Sequence, residues 1–501
     1  MDQKRHLVRS SMRLLFVTLL LLVPAIGNGV PFVSADTASY LRVGAGFAGA
    51  LERLVTPGAE RAAPTAGRAV SAEELRLGAT YLGARSAWYA FPAWLASRAM
   101  GIWGIALVQA VIAAALVLTA IRVVAPAAAP GPAAIAVLAL ASGSTLGIYA
   151  SVAMPDLFVG LGVLAAGLLI LWSDRLGAIG RFLLLVLVIA ASAVHATHAP
   201  VILAAVSVLA LVASLSGSPI AWSRGPALLV VAACLLGVAA TALAREAAAR
   251  VLGEPLRNPP FLMARVVADG PGRTFLEQAC GTRALALCAF LDRPLDDSQT
   301  ILWESDPARG VFGPADADTR IRLIEEQGEV LLGALRTDPV GVVTSAVGNV
   351  LRLLLVVRLE GELESFIPER ALAALDELSP GLADAWRESA VARGLWPFSI
   401  LDPWLAATTL AALLVVAWWV VKGGGHGGAP GEVERQRGLV VLVSAALVVN
   451  AVLCGAASGP FPRYQMRILW LLPALAILLL LARKAASGRA RGSPIAAAGR
   501  G

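Results

Sequence analysis

Charge is scarce in this chain. Only 15% of its 501 residues are Asp, Glu, Lys or Arg, and 58% are hydrophobic, against roughly 25% and 45–50% in soluble globular domains. That balance excludes a soluble enzyme. The 29 prolines and 48 glycines have no fixed period, so a fibrous repeat is excluded too. Four cysteines and four histidines fall in no metal-type spacing, and no metal site is expected. Sustained strand alternation and Asn-Gly hairpin signals are missing from residues 246–401, which argues against a β-domain there.

What the chain has instead is apolar runs near 20 residues, each long enough to cross a hydrocarbon layer of about 30 Å. Bounded by charge, Pro or Gly, they place about ten transmembrane helices, at 13–30, 103–122, 132–150, 156–173, 179–195, 199–214, 226–245, 402–421, 438–456 and 467–483. Short basic loops set the orientation. Lys4, Arg5, Arg9 and Arg13, then Arg175 and Arg181, then Lys422, Arg435 and Arg437, and finally the tail from Arg483 to Arg500 all fall on one side when the count is ten. Both termini are then cytoplasmic, as in a bacterial plasma (inner) membrane protein. Residues 246–401 carry 15 Lys and Arg against 23 Asp and Glu, a net −8, while the whole chain is +7. The positive excess therefore sits at the ends of apolar runs, and no nucleic-acid partner is expected.

The expected fold is thus an all-α polytopic membrane protein. Its membrane module, residues 1–245, holds seven spans and a first outer loop at 31–100. A mostly helical outward-facing domain covers 246–401, three spans follow in 402–483, and 484–501 is a basic cytoplasmic tail. Pro339 to Leu359 is nearly long enough to span, but Asn349 and Arg352 near its middle make it an amphipathic helix lying on the membrane or packed under the outer domain. The first span has a rival reading as a signal peptide cleaved after Val33-Ser34-Ala35. Cys280 and Cys288 lie together in the outward domain, where a disulfide is expected. Continuous helix would put their Cα atoms about 12 Å apart, too far to bridge, so the bond demands a turn at Cys280-Gly281-Thr282.

Polar residues at membrane depth are costly, and here they share a side. Asp36 and Tyr40 follow the first span, Arg85, Trp88 and Tyr89 precede the second, and Asp156 opens the fourth. His195 and His198 close the fifth, and Arg463 and Arg467 introduce the last. Each has a plain alternative. Asp36 and Asp156 would serve as helix starts, the histidines as interfacial packing in place of half a metal site, the arginines as snorkelling headgroup anchors, and Trp88 and Tyr89 as interface anchors. Taken jointly, a carboxylate beside arginines at the outer mouth of a helical bundle suits group transfer from a phosphate-bearing lipid. The guanidinium groups bind the leaving phosphate and the carboxylate accepts the proton of the attacking hydroxyl.

These features resemble the GT-C superfamily of multi-spanning glycosyltransferases, of the protein O-mannosyltransferase and lipid A aminoarabinose transferase types. The resemblance lies in a first span followed at once by an acid and an aromatic, Asp36 and Tyr40, and in the second acid within Ala153-Met154-Pro155-Asp156-Leu157-Phe158. It covers residues 10–215 in pattern and the rest in layout. It implies an inverting transfer from a polyprenyl-phosphate-linked sugar to a glycan, lipid or protein acceptor. Asp36 stands in the place of the catalytic base and Asp156 of a supporting acid. Tyr40, Arg85, His195, His198, Arg463 and Arg467 would bind substrate. Many members carry two adjacent acids in the first loop where this chain has Asp36-Thr37, and this departure bears on whether a divalent cation is a cofactor. The competing expectations are a transporter or flippase of lipid-linked sugars and a noncatalytic scaffold. A transporter calls for repeated halves and midplane charges, which the sequence lacks.

Overall fold

The computed structural model describes residues 2–55, 72–216, 220–363, 367–422 and 430–492. The Gly-rich patch at 423–428 and the tail beyond 492 lie outside the described residues. The chain opens with α1 (Asp2–Asn28), α2 (Ala35–Val55), α3 (Ala72–Leu82) and α4 (Ala87–Met100), so the expected first outer loop is largely helical. There follow α5 (Ile102–Val124), α6 (Pro130–Ser142), α7 (Leu146–Ala150), α8 (Leu157–Trp172), α9 (Ala178–Val194), α10 (His198–Leu215) and α11 (Arg224–Leu252). Among the described residues no strand forms beyond one isolated bridge between Phe32 and Val152.

Every residue of α8 is buried. A helix apolar on all sides belongs at the centre of a bundle, and α8 packs against α5, α9, α10 and α11. Glycine makes one of its contacts: a Cβ at Gly160 would lie 2.7 Å from the indole nitrogen of Trp470.

The segment expected to face outward contains α12 (Phe261–Ala268), α13 (Pro271–Ala279), α14 (Ser298–Trp303), α15 (Ala317–Glu325), α16 (Gln327–Thr337), α17 (Pro339–Leu355), α18 (Glu369–Leu378) and α19 (Leu382–Arg387). Met263, Phe275, Leu287, Ile301, Phe312 and Leu323 form part of a core of its own. The helix α13 ends at Ala279, and the turn that follows brings Cys280 and Cys288 to a Cα separation of 5.5 Å, where they are disulfide-bonded. Asp338 accepts from the Gly341 N–H at 2.8 Å and caps α17, which turns 107° from α16. The segment expected at 339–359 is therefore a separate helix, and it lies along the carboxy-terminal bundle, contacting the penultimate span.

The chain returns through α20 (Phe398–Val421), α21 (Pro430–Ala457), α22 (Pro462–Leu469) and α23 (Leu471–Gly492). Among the described residues eight segments are long and apolar enough to cross a membrane, within α1, α5, α8, α10, α11, α20, α21 and α22–α23, and α6 and α9 are shorter apolar helices. All ten expected runs are thus helical, but the one placed at 132–150 is interrupted. It stops at Ser142, because Ser144 turns its hydroxyl back to the Leu140 carbonyl at 2.6 Å and Thr145 bonds the Met466 carbonyl at 2.6 Å. The interruption supplies the backbone on which the polar cluster is built.

At one end of the bundle, Arg435 pairs with Asp174 at 2.8 Å and Arg175 pairs with Glu432, tying the two basic loops to each other. At the opposite end lie the end of α1, the starts of α8 and α10, and α22. The last residues of the outward segment dock there, with Val391 donating to the Asn28 side-chain oxygen at 2.9 Å.

Candidate functional site

Asp36 occupies the first turn of α2 but does not cap it. The Ser34 N–H is taken by the Thr37 hydroxyl at 3.0 Å, and that hydroxyl donates on to the Ala153 carbonyl at 3.2 Å. Phe32 accepts from Ala153 and donates to Ser151, each at 2.9 Å. These bonds lay the segment 151–156 alongside Asp36. Gln109 of α5 reinforces the segment, donating to the Ala150 and Val152 carbonyls at 3.2 and 2.7 Å.

The same segment seats α22. Tyr149 donates to the Arg463 carbonyl at 3.0 Å, and Asp156 pairs with Arg467 at 2.9 Å. Asp156 stands at the N-cap position of α8 without making a cap bond, so its carboxyl serves the arginine instead. Arg467 is fully buried, and its Nη2 reaches the Thr197 hydroxyl at 3.0 Å and the Asn450 side-chain oxygen at 3.3 Å, while its Nε is buried without a hydrogen-bond partner. It is a structural cation, not one snorkelling to headgroups. Thr197 also meets His195 Nδ1 at 2.9 Å, and the His195 and His198 rings stack at 4.9 Å. His198 is buried against the Ala191 carbonyl at 3.0 Å, so the histidines support the wall of the site.

Arg85 reaches in from the start of α4 and pairs with Asp36. Its guanidinium lies over the Tyr40 ring, 5.4 Å from the centroid, and Tyr40 in turn meets Tyr89 edge-on at 5.1 Å. Burial alone would lower the pKa of Arg85, but the neighbouring Asp36 and Tyr40 carry it above the ordinary arginine value. Burial raises the pKa of Tyr40 well above the usual phenol range, and its hydroxyl lies in the fields of Arg85, Asp36, Asp156 and Arg467. Tyr40 therefore packs against the Asp36–Arg85 pair. Tyr89 is not an interface anchor: it is buried and donates to Gln109 at 3.1 Å, whereas its neighbour Trp88 is exposed.

Arg463 completes the group. It rests over the Tyr464 ring at 5.2 Å and faces Arg85, yet it makes no ion pair among the described residues. A third acid, unforeseen from sequence, approaches it: Glu362, from the stretch between α17 and α18. Burial raises the pKa of Glu362, and Arg463 and Arg358 only partly oppose the rise. Asp402 steadies this stretch by accepting from the Leu359 and Glu360 N–H groups at 2.9 and 3.2 Å.

The structure thus gathers Asp36, Tyr40, Arg85, Asp156, His195, Arg463 and Arg467 at one end of the bundle. Sequence reasoning missed Gln109, Asn450, Thr197 and Glu362. The first two had a visible signal, an amide inside an apolar run, where polar side chains are expensive without partners. No three His, Cys, Asp or Glu side chains group to hold a metal among the described residues. Asp36 and Asp156 each pair with a guanidinium, Arg85 and Arg467 respectively. Searches against family models, curated proteins and solved structures return no match.

Proposed function

We propose that this chain is a membrane glycosyltransferase that moves a sugar from a polyprenyl-phosphate-linked donor to a hydroxyl acceptor, glycan, lipid or protein, on the outer face of a bacterial plasma membrane. The observation that carries the reading is the charge arrangement at the site. Two acids are each neutralised by an arginine, and Arg463, which lies in the fields of Asp36 and Asp156, is left without an ion pair among the described residues. A guanidinium in that state suits the phosphate of a lipid-linked donor, whose tail would lie in the bilayer.

In the proposed step the acceptor oxygen attacks the anomeric carbon from the face opposite the phosphate. A new C–O bond forms there while the bond from that carbon to the phosphate oxygen breaks, inverting the centre. The phosphate leaves with the electron pair as polyprenyl phosphate, held by Arg463. The hydroxyl proton passes to Asp36. Asp156 acts at one remove, keeping Arg467 and the 151–156 segment in place. The disulfide-bonded outward segment lies at the same end as the site, which supports an oxidising, extracytoplasmic side for the chemistry.

The test is transfer by the purified chain in nanodiscs from a panel of undecaprenyl-phosphate-linked hexoses and pentoses. Asp36→Asn should lower kcat by about 10²-fold or more, and Arg463→Ala should raise donor KM. Retained turnover in folded Asp36→Asn protein would remove Asp36 from the mechanism.

A further inference from the structure

Three arginines meet at this site, and the sequence alone expects all three to bind substrate. We infer that Arg85 is instead the positioning residue that orients Asp36, and that the first residues of the outward segment hold Arg85 in place. The inference rests on the glycosyl-transfer reading for its catalytic meaning.

Asp36 is the more exposed partner of the pair, its side chain 31% accessible against 13% for Arg85. It lies inside the first turn of α2, and among the described residues Arg85 is its side-chain hydrogen-bond and ion-pair partner, the contact that fixes its rotation. With Oδ1 engaged by the guanidinium, Oδ2 is the oxygen left to meet an incoming hydroxyl. A base oriented by a third group is the usual way such a proton acceptor is kept aligned. Arg85 is itself constrained. Its guanidinium is stacked over Tyr40, and its Nε is buried without a hydrogen-bond partner, so a swing toward a phosphate would strand Asp36.

The backbone around Arg85 is gripped from two sides. Ser86 caps α4 and donates its hydroxyl to the Ala193 carbonyl at the end of α9, at 2.6 Å. On the other side the Gly83 N–H donates to the Arg257 carbonyl at 3.1 Å, and the Arg257 N–H donates to the Ala79 carbonyl at 2.7 Å. The approach is so close that a Cβ at Gly83 would lie 2.5 Å from the Arg257 carbonyl oxygen. Arg257 follows shortly after α11, so the residue that orients Asp36 is held between the bundle and the root of the outward segment.

The test uses the full chain in nanodiscs with three readouts. In the first, Asp36 is modified by a hydrophobic carbodiimide and quantified by mass spectrometry. Arg85→Ala should raise the modification several-fold, Arg85→Lys should raise it less, and Gly83→Ala should raise it by displacing the Arg85 loop. Unchanged labelling in Arg85→Ala overturns the inference. In the second, farnesyl phosphate binding should weaken about tenfold in Arg463→Ala and stay within about twofold in Arg85→Ala. Equal weakening in both variants makes Arg85 a phosphate ligand and overturns the inference. In the third, on the donor that wild type turns over, Arg85→Ala should cut kcat by about 10²-fold at nearly constant donor KM, with partial recovery in Arg85→Lys. A raised KM at constant kcat overturns it. Should wild type bind farnesyl phosphate no better than Arg463→Ala does, the glycosyl-transfer reading fails, and the labelling experiment still decides whether Arg85 holds Asp36.

Discussion

Replacing Asp156 by Leu strands a cation in the bundle, because its partner Arg467 is fully buried. Removing one member of a buried ion pair costs about 3–5 kcal/mol. Arg467 retains its bonds to Thr197 and Asn450, so the lower end, about 3 kcal/mol, is expected. At about 2.1 cal/mol/K per residue, a chain of 501 residues has an unfolding entropy near 1 kcal/mol/K. The melting temperature of Asp156→Leu should therefore fall by about 3 °C. The assay is thermal unfolding in detergent followed by tryptophan fluorescence. The double variant Asp156→Leu/Arg467→Met carries no stranded charge and should melt above Asp156→Leu alone. A single variant that melts with wild type, or a double variant with strictly additive losses, would refute the reasoning.

Gly160→Val should lower the melting temperature more than Gly180→Ala does, since the former places a side chain into the Trp470 ring and the latter meets only ordinary contact with Leu176; the melting curves of the two variants check this. Because burial raises the pKa of Glu362, its ionised form is disfavoured in the folded protein. The stability this group contributes is full below its ordinary pKa of 4.5 and is lost as pH rises through the higher folded value. Glu362→Gln should accordingly melt above wild type at pH 7, with the gap closing toward pH 4 in a pH series. Reducing the Cys280–Cys288 bond, which links residues eight apart, should destabilise the outward segment by about 2–3 kcal/mol on the chain-entropy account. Maleimide labelling should find the pair only after reductant, with Cys234 and Cys454 reacting only after unfolding.

Hydropathy made the helices legible, because a run such as Leu157–Trp172 has no polar face to offer water and can only be interior or membrane-bound. The gathering of Asp36, Arg85, Asp156 and Arg467 at one end was legible for a related reason: buried charge must have a partner, and the topology left only one end free. Which acid meets which arginine was not readable. The pairings depend on the break at 143–145, and an apolar run of 132–150 gives little warning that Ser144 and Thr145 will divert the chain. Glu362 was hidden because it lies in an irregular stretch whose placement comes from Asp402, 40 residues away in sequence from Glu362 itself and invisible to any local pattern.

The bonds from Thr145 to Met466, Tyr149 to Arg463 and Asp156 to Arg467 bridge 321, 314 and 311 positions. A ribosome adding about 5–20 residues per second delivers Arg467 some tens of seconds after Asp156 has emerged. Throughout that interval the newborn early helices carry an acid whose counterion has yet to be synthesised. Biogenesis must shelter it, whether in the insertion machinery or at the wet rim of the lipid, and a chain that stalls before its final helices presents an unneutralised carboxyl by which surveillance proteases can tell it from a finished molecule.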